Sequence, residues 1–159
     1  MTQSPIPNPT WLAEADALRH SPPRHVLFLC VANSARSQMA EGIARRLASD
    51  SVRISSAGSA PTRVRPEAIT VLAEIGIDIA GQSSSGLGEV DQTVDAVITL
   101  CAEEVCPVWL GGGRRIHWGL PDPAAVAGDE VARLEAFRQV RDELGRRLSV
   151  VFGRVDSSP

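Results

Sequence analysis

The sequence predicts one α/β domain: a four-stranded parallel sheet with helices on both faces. Short apolar runs, typical of buried strands, alternate along the chain with segments whose apolar residues recur at helical spacing. The length of 159 residues fits a single domain. The 43% of hydrophobic and 22% of charged residues are ordinary for a globular protein, and a disordered chain would need fewer apolar residues.

An N-terminal helical extension over residues 1–24 is expected to precede the domain at 25–159. Asn8-Pro9 can cap and open a helix over 9–19, and the apolar face of this helix is expected to pack on the domain. Residues 1–9 are polar and rich in proline, so we expect no secretory signal. No apolar run approaches the roughly 18 residues of a membrane span.

The domain begins with the continuous apolar run Val26–Leu29, which predicts a buried strand. Pro66 opens a later helix, which carries Ile75 on its apolar side and ends at Gly76. The last helix is predicted to bury one side that starts at Val131. The predicted strands are 26–29, 52–56, 94–100 and 114–118, and the predicted helices of the domain are 37–48, 66–76 and 129–148.

Charge and cysteine content restrict the class of function. The net charge of −3 argues weakly against nucleic acid as the main partner, although all sixteen basic residues are arginines. The three cysteines do not suggest a secreted disulfide scaffold, and we expect a reducing, cytoplasmic environment. Two of the three histidines, His20 and His25, are expected to lie before the core begins. Paired Cys/His spacing is missing, so no metal site is predicted.

A cysteine and an arginine frame the turn between the first strand and the next helix. Cys30 ends the strand and Arg36 follows six residues later. Such a turn presents backbone N–H groups to an anion, and the helix dipole together with Arg36 favours the thiolate. Ser37 can donate a hydrogen bond to that thiolate, and Asn33 tolerates the left-handed backbone of a tight loop. A buried cysteine before an ordinary helix is the alternative. The predicted oxyanion-binding residues are Val31, Ala32, Asn33, Ser34, Ala35 and Arg36.

Two further cysteines, Cys101 and Cys106, follow the third predicted strand. The carboxyl ends of parallel strands share one crevice, so Cys101 could lie near Cys30. A second thiol is useful if Cys30 forms an adduct that a thiol must resolve, and a third could carry the oxidation outward. Two small core residues are the alternative explanation.

A carboxylic acid follows the fourth strand on a loop that two prolines stiffen. Pro121 and Pro123 would hold Asp122 in place, where it could protonate a departing oxygen as a general acid. A surface turn is the alternative, because Pro-Asp-Pro is good turn chemistry in any case. His117, just before this loop, is expected to have a structural role.

The segment from Val26 through Cys30 and Arg36 to Gly42 resembles the low-molecular-weight protein tyrosine phosphatases. It resembles even more closely the arsenate reductases of the same fold, above all in the run Ser37-Gln38-Met39-Ala40-Glu41. The resemblance continues through Ser56-Ala57-Gly58 and covers about residues 25 to 150.

This resemblance implies that Cys30 attacks arsenate and that Cys101 then displaces arsenite, leaving a Cys30–Cys101 disulfide. Cys106 would form a Cys101–Cys106 disulfide, which thioredoxin would open. A glutathione and glutaredoxin system, or mycothiol and mycoredoxin, is the alternative reductant. Neither nucleic acid nor a membrane is expected as a partner.

The residue after the Asp122-Pro123 pair distinguishes the tyrosine phosphatases from the arsenate reductases of this fold. Tyrosine phosphatases usually carry an aromatic residue there, whereas this chain has Ala124 and contains no tyrosine at all. A phosphotyrosine phosphatase is therefore the second hypothesis, and an oxyanion-binding module without turnover is the third. Some reductases of this type bind potassium through residues that match Asn33 and Glu41. Serines at 83–85 stand where a further acidic ligand is expected, so potassium is doubtful and no cofactor is required.

Overall fold

The computed structural model describes residues 10–102 and 107–153 of the chain. Two short 3-10 helices, Leu87–Glu89 and Pro123–Ala125, accompany the main elements. In chain order these are α1 (Thr10–His20), β1 (His25–Cys30), α2 (Arg36–Leu47), β2 (Arg53–Gly58), α3 (Pro66–Ala73), β3 (Ala96–Thr99), β4 (Arg114–His117) and α4 (Glu130–Val151). No helix within the described ranges is long and apolar enough to cross a membrane.

The four strands form one parallel sheet in the order β2-β1-β3-β4, which confirms the predicted sheet. Strand β1 is central, and the chain moves to one side of it for β2 and to the other side for β3 and β4. Such a reversal leaves a crevice outside the carboxyl ends of the middle strands, where ligands of open α/β sheets bind. Cys30, the last residue of β1, lies at this crevice.

The two faces of β1 contribute to two apolar clusters, because successive side chains of a strand point to opposite sides. Val26 and Phe28 belong to the larger cluster, which includes residues of all four α-helices. Leu27 and Leu29 belong to the smaller cluster, which Trp109 closes together with residues beside the first 3-10 helix. Both faces of the sheet are thus covered, as expected of a parallel sheet.

Helix α1 packs on the domain, which confirms the expectation for its apolar face. Ala15 and Leu18 are fully buried in the larger cluster. The guanidinium of Arg147 on α4 lies 5.2 Å from the ring centre of Trp11 on α1. The predicted cap at Asn8-Pro9 lies outside the described residues.

Two apolar residues assigned to helix faces by spacing are exposed instead. Val131 is 72% exposed, because at 3.6 residues per turn it points about 180° away from the buried Val140. Ile75 is 45% exposed, since α3 ends at Ala73 and Gly76 turns the chain with φ of 81°. The remaining predicted face of α4 is buried, as Phe137, Val140, Leu144 and Leu148 show.

His25 also differs from the prediction, because it is buried in the core and does not precede it. Its ring is buried at the start of β1, with Nδ1 2.8 Å from Thr93 Oγ1 and Nε2 2.8 Å from Ser55 Oγ. Burial lowers the pKa of His25, and the nearby Arg53 guanidinium lowers it further. The neutral imidazole is therefore the form that suits the folded state.

Candidate active site

Cys30 lines a cavity of about 360 Å³ at the carboxyl end of β1. Its side chain is 2% exposed and is a free thiol. The structure brings Arg36 and Asp122 to the same cavity, although they follow different strands. The lining residues are Cys30, Val31, Ala32, Ser34, Ala35, Arg36, Thr62, Arg65, Asp122 and Ala124.

Asn33 does not line this cavity but holds the loop from behind. Its φ of 46° confirms the left-handed backbone predicted for this position. Its Oδ1 accepts hydrogen bonds from the N–H of Ser85 (2.7 Å) and from Gln38 Nε2 (3.1 Å). Its Nδ2 donates to Ser37 Oγ (2.8 Å) and to Ser56 Oγ (2.9 Å). The buried amide thus uses its full capacity of two donors and two acceptors.

The carbonyls of the loop point toward the segment that follows β2. Val31 O accepts from the N–H of Ala60 at 2.9 Å, and Ala32 O from that of Thr62 at 3.0 Å. Ser34 O accepts from a third N–H of the same segment at 2.8 Å. A carbonyl dipole aimed at the cavity would repel an anion, so this arrangement suits an oxyanion site.

Gly58 at the end of β2 permits this close approach. A Cβ atom on Gly58 would clash with the carbonyl oxygen of Val31 and would lie 2.8 Å from the N of Asn33. It would also lie 2.9 Å from the carbonyl oxygen of Cys30, its partner in the sheet register. These contacts are with backbone atoms, which cannot move aside as the end of a side chain can. Only glycine fits here without displacing the loop.

The predicted contact between Ser37 and the Cys30 thiol is present, with 2.9 Å between Oγ and Sγ. Because the Asn33 amide donates to Ser37 Oγ, the one hydroxyl proton of Ser37 remains for the sulfur. A second chain of hydrogen bonds runs from Asn33 to Ser56, whose hydroxyl donates to Glu41 Oε1 at 2.6 Å. With this order of donors, Ser37 presents its hydroxyl proton to the Cys30 sulfur.

Arg36 lies between the ends of two neighbouring segments. It is 4% exposed, and its Nη1 donates to the carbonyl oxygens of Leu120 (2.9 Å) and Leu100 (3.4 Å). Leu100 follows β3 and Leu120 belongs to the loop after β4, so Arg36 ties both to the start of α2. The guanidinium is thereby held in the cavity wall beside Cys30.

Asp122 is held in the cavity wall by local structure. It caps the short helix Pro123–Ala125, and its Oδ1 accepts from the N–H of Ala124 at 3.0 Å. Pro121 and Pro123 fix the backbone on both sides of it. The carboxyl group therefore has a defined position in the cavity lining, as the sequence predicts for an acid that acts on a bound group.

Comparison with known proteins places this geometry in a family. Residues 25–158 match the family described as low molecular weight phosphotyrosine protein phosphatase. An arsenate reductase of Halalkalibacterium halodurans is 43% identical over 126 residues, which are 77% of this chain and 91% of the relative.

The chain belongs to the arsenate reductase branch of this phosphatase family.

Solved structures agree with this assignment. A structure described as an arsenate reductase in the phosphate binding state is 36% identical, with a TM-score of 0.71, and the match covers 83% of this chain and 98% of that one. A thioredoxin-dependent arsenate reductase of Corynebacterium glutamicum is 28% identical, with a TM-score of 0.54. That match covers 88% of this chain and 69% of that longer chain.

The structure places Cys101 beside the strand that ends in Cys30. Leu100 donates its N–H to Leu29 O at 2.9 Å, so the chain that leaves β3 runs next to the end of β1. Cys101 is buried and is disulfide-bonded, whereas Cys30 is a free thiol. Cys101 is not among the lining residues of the cavity. Cys106 lies outside the described residues.

The two residues matched to a potassium site both have hydrogen-bond partners within the protein. The Asn33 amide oxygen already accepts two N–H donors. Glu41 accepts the Ser56 hydroxyl on one oxygen and the Arg45 guanidinium on the other, with Arg45 Nη2 2.7 Å from Oε2. A guanidinium thus supplies the positive charge beside Glu41. The described parts of the chain contain no group of three or more histidine, cysteine or acidic side chains that could hold a metal.

Sequence reasoning missed two lining residues, Thr62 and Arg65. Both belong to the segment that follows β2, and β2 is the direct neighbour of β1. Because parallel strands end at one edge, any polar residue after β2 was a candidate. The signal was present in the pair Arg65-Pro66, where an arginine directly precedes a proline that opens a helix.

His117 has the structural contact expected of it. Its Nδ1 lies 2.7 Å from Thr99 Oγ1 on the neighbouring strand β3. His117 does not line the Cys30 cavity. Nothing in this contact gives the imidazole access to a bound oxyanion.

Proposed function

We propose that this protein reduces arsenate to arsenite at Cys30. The observation that carries the proposal is the cavity in which a buried thiol with a Ser37 donor meets Arg36 and Asp122. Apart from Arg65, its remaining walls are small side chains, Ala124 among them, so it suits a small tetrahedral oxyanion better than an aromatic ring. The relationship to arsenate reductases supports the same conclusion.

In the first step the loop N–H groups and Arg36 bind arsenate, and the Cys30 thiolate attacks the arsenic atom. A sulfur–arsenic bond forms and an arsenic–oxygen bond breaks. Asp122 donates a proton to the departing oxygen, which leaves as water. Arsenic remains pentavalent in the adduct, so no electrons have yet been transferred to it.

In the second step the Cys101 thiolate attacks the sulfur of Cys30. A Cys30–Cys101 disulfide forms, and the electron pair of the sulfur–arsenic bond passes to arsenic, which leaves as trivalent arsenite. Two thiols are oxidised by one electron each, which balances the two-electron reduction. Burial of Cys101 next to the end of β1 supports its assignment as the resolving thiol.

In the third step Cys106 attacks Cys101 and releases the Cys30 thiolate, which leaves a Cys101–Cys106 disulfide. A free Cys30 beside a disulfide-bonded Cys101 is compatible with the end of this sequence. An external dithiol must then reduce the disulfide. We propose thioredoxin, because a related structure is of a thioredoxin-dependent arsenate reductase. A cytoplasmic location follows, since this compartment keeps such reductants available.

The proposal is tested by counting thiols during a single turnover of the reduced protein with arsenate and no external reductant. Two thiols should disappear per arsenite formed, and mass spectrometry should find a Cys101–Cys106 bond. Cys101→Ser should stop at the Cys30 adduct, and Cys106→Ser at a Cys30–Cys101 bond. Cys30→Ser should form neither adduct nor arsenite. Retention of all three thiols with no arsenite would exclude the intramolecular relay.

Hydrolysis of an aryl phosphate by the same protein separates reduction from phosphatase activity. Phosphate is an isostere of arsenate, so slow hydrolysis at Cys30 is expected from this loop. Turnover of the aryl phosphate far above that of arsenate, unaffected by Cys101→Ser, would favour the phosphatase instead.

A further inference from the structure

Arg65 is a second arginine in the wall of the Cys30 cavity. It belongs to the segment after β2, and its backbone N–H donates to Ser34 O at 2.8 Å. The residue is therefore fixed to the oxyanion-binding loop itself. It also caps α3, where the backbone φ of −71° is unstrained.

An acidic side chain fixes the Arg65 guanidinium from one side. Arg65 Nη2 donates to Glu67 Oε2 at 3.2 Å, and Arg133 Nε lies 3.9 Å from the same oxygen. The side chains of Arg65 and Glu67 are 35% and 16% exposed, so this ion pair is partly shielded from water. The pair limits the positions that the guanidinium can adopt.

The Nε–H of Arg65 is buried and has no hydrogen-bond acceptor among the residues that the structure describes. A buried N–H of a charged group without an acceptor is unfavourable, and native structures rarely contain one without a reason. An anion in the cavity that Arg65 lines would supply the missing acceptor. The cavity already has the loop and Arg36 as anion-binding groups.

We propose that Arg65 is a substrate-binding residue whose Nε–H donates to an oxygen of the tetrahedral oxyanion in the Cys30 cavity. This deepens the proposed function, because it assigns the second positive charge that selects a doubly charged oxyanion such as arsenate. Arg36 and Arg65 approach the anion from different elements, the start of α2 and the segment before α3. A dianion gains more from two nearby cations than a monoanion does, because the Coulomb energy of each pair grows with the charge of the anion.

Arg63 provides a matched control, because it is an exposed arginine two residues earlier and does not line the cavity. Arg63→Gln and Arg65→Gln remove the same charge from the same segment. Only Arg65→Gln removes a donor from the cavity wall. Arg65→Lys keeps the charge but loses the planar N–H fork, so it separates charge from geometry.

Binding of inorganic phosphate to the reduced protein, measured by titration calorimetry, tests the proposal without any turnover. Phosphate has the shape and charge of arsenate but is not reduced by thiols. Arg65→Gln should weaken its binding about tenfold, the loss typical of one charge-assisted hydrogen bond. The phosphate affinity of Arg65→Lys should lie between those of Arg65→Gln and the unchanged protein. The affinity of Arg63→Gln should stay within about twofold of the unchanged protein.

Arsenate kinetics give the matching prediction, in which Arg65→Gln raises KM with little change in kcat. Unchanged phosphate binding in Arg65→Gln would overturn the proposal, and so would an equal loss in Arg63→Gln. If Arg65→Gln does not fold, Arg65→Lys alone tests the proposal. A phosphate affinity of Arg65→Lys equal to that of the unchanged protein would then overturn the proposal. Absence of arsenate reduction together with Arg65-dependent phosphate binding would refute the proposed function and leave this inference standing.

Discussion

The loop after β1 and the loop after β4 bring the thiol and the acid to one cavity, but different interactions stabilise them. The loop after β1 is held by buried hydrogen bonds, above all those of the Asn33 amide with α2, β2 and the backbone N–H of Ser85. The loop after β4 is held by its own prolines, by a hydrogen bond from Arg36 to Leu120 O, and by backbone hydrogen bonds from Trp118 and Leu120 to the end of β3. It also has contacts outside the sheet.

Those outside contacts come from the N-terminal helix. Trp118 at the start of the acid loop is buried, and its indole N–H donates to Glu14 of α1 at 3.0 Å. The guanidinium of Arg147 lies 5.6 Å from the Trp118 ring centre and 5.2 Å from that of Trp11. The position of the thiol thus depends on residues that the family model covers, whereas the acid loop also contacts a helix that precedes residue 25. Changes in the two regions should therefore have different consequences.

The largest effect is expected from Gly58→Ala. A methyl group would push against backbone atoms of Cys30, Val31 and Asn33 and displace the oxyanion loop. Activity should fall by about 100-fold, the typical result of a misplacement of about 1 Å, and unfolding free energy by roughly 1–3 kcal/mol. Arsenate turnover and chemical denaturation measure both. Gly88→Ala is the control, because a Cβ atom there meets nothing within 4 Å.

Substitution of Asn33 should have the next largest effect and should separate its two roles. Asn33→Gly keeps the left-handed backbone but removes four side-chain hydrogen bonds, whereas Asn33→Ala also adds the steric cost of φ 46°, about 1 kcal/mol. Both should slow alkylation of Cys30 by iodoacetamide at neutral pH, because Ser37 would no longer be fixed as a donor. Equal alkylation rates in Asn33→Gly and the unchanged protein would contradict this role.

Glu14→Ala tests the acid loop and should have a smaller effect. The Trp118 indole would lose its acceptor, at a cost of roughly 1 kcal/mol in unfolding free energy. We expect kcat to fall several-fold while phosphate affinity is retained, because Asp122 moves and the loop after β1 does not. Glu14→Gln keeps an oxygen acceptor and should restore kcat. Weakened phosphate binding in Glu14→Ala would show that the two loops are not independent.

Acidification should destabilise the β1 region slightly more than the acid loop. The pKa of His25 is lowered in the folded protein, so the unfolded chain takes up the proton first as pH falls below about 6.5. The contribution of neutral His25 to the free energy of unfolding is therefore fully present above that pH and decreases below it. Amide hydrogen exchange between pH 7 and 5 should show earlier loss of protection in β1 and β2 than at 118–125. His25→Gln should remove the difference, and identical protection in both regions of the unchanged protein would contradict it.

Sequence reasoning was most successful where one short segment contains the whole signal. The Cys30 loop, the φ of Asn33 and the Ser37 contact all depend on residues within eight positions of one another. His25 was misplaced, because its burial depends on Thr93 and Ser55, which are distant in sequence. Val131 was misassigned for a different reason, since the angle around α4 was available from the residue numbers alone.

The sequence by itself determined the parallel sheet, the thiol at the end of β1, the acid between two prolines and the absence of an aromatic residue at Ala124. Backbone propensity and local spacing suffice for these features. Only the tertiary structure decided that Arg65 faces the same cavity and that Glu14 of the N-terminal helix holds Trp118. It also decided that the Ser56 hydroxyl of β2 donates a hydrogen bond to Glu41 of α2. Such contacts depend on which strand ends and helix faces meet, and no short stretch of sequence records that.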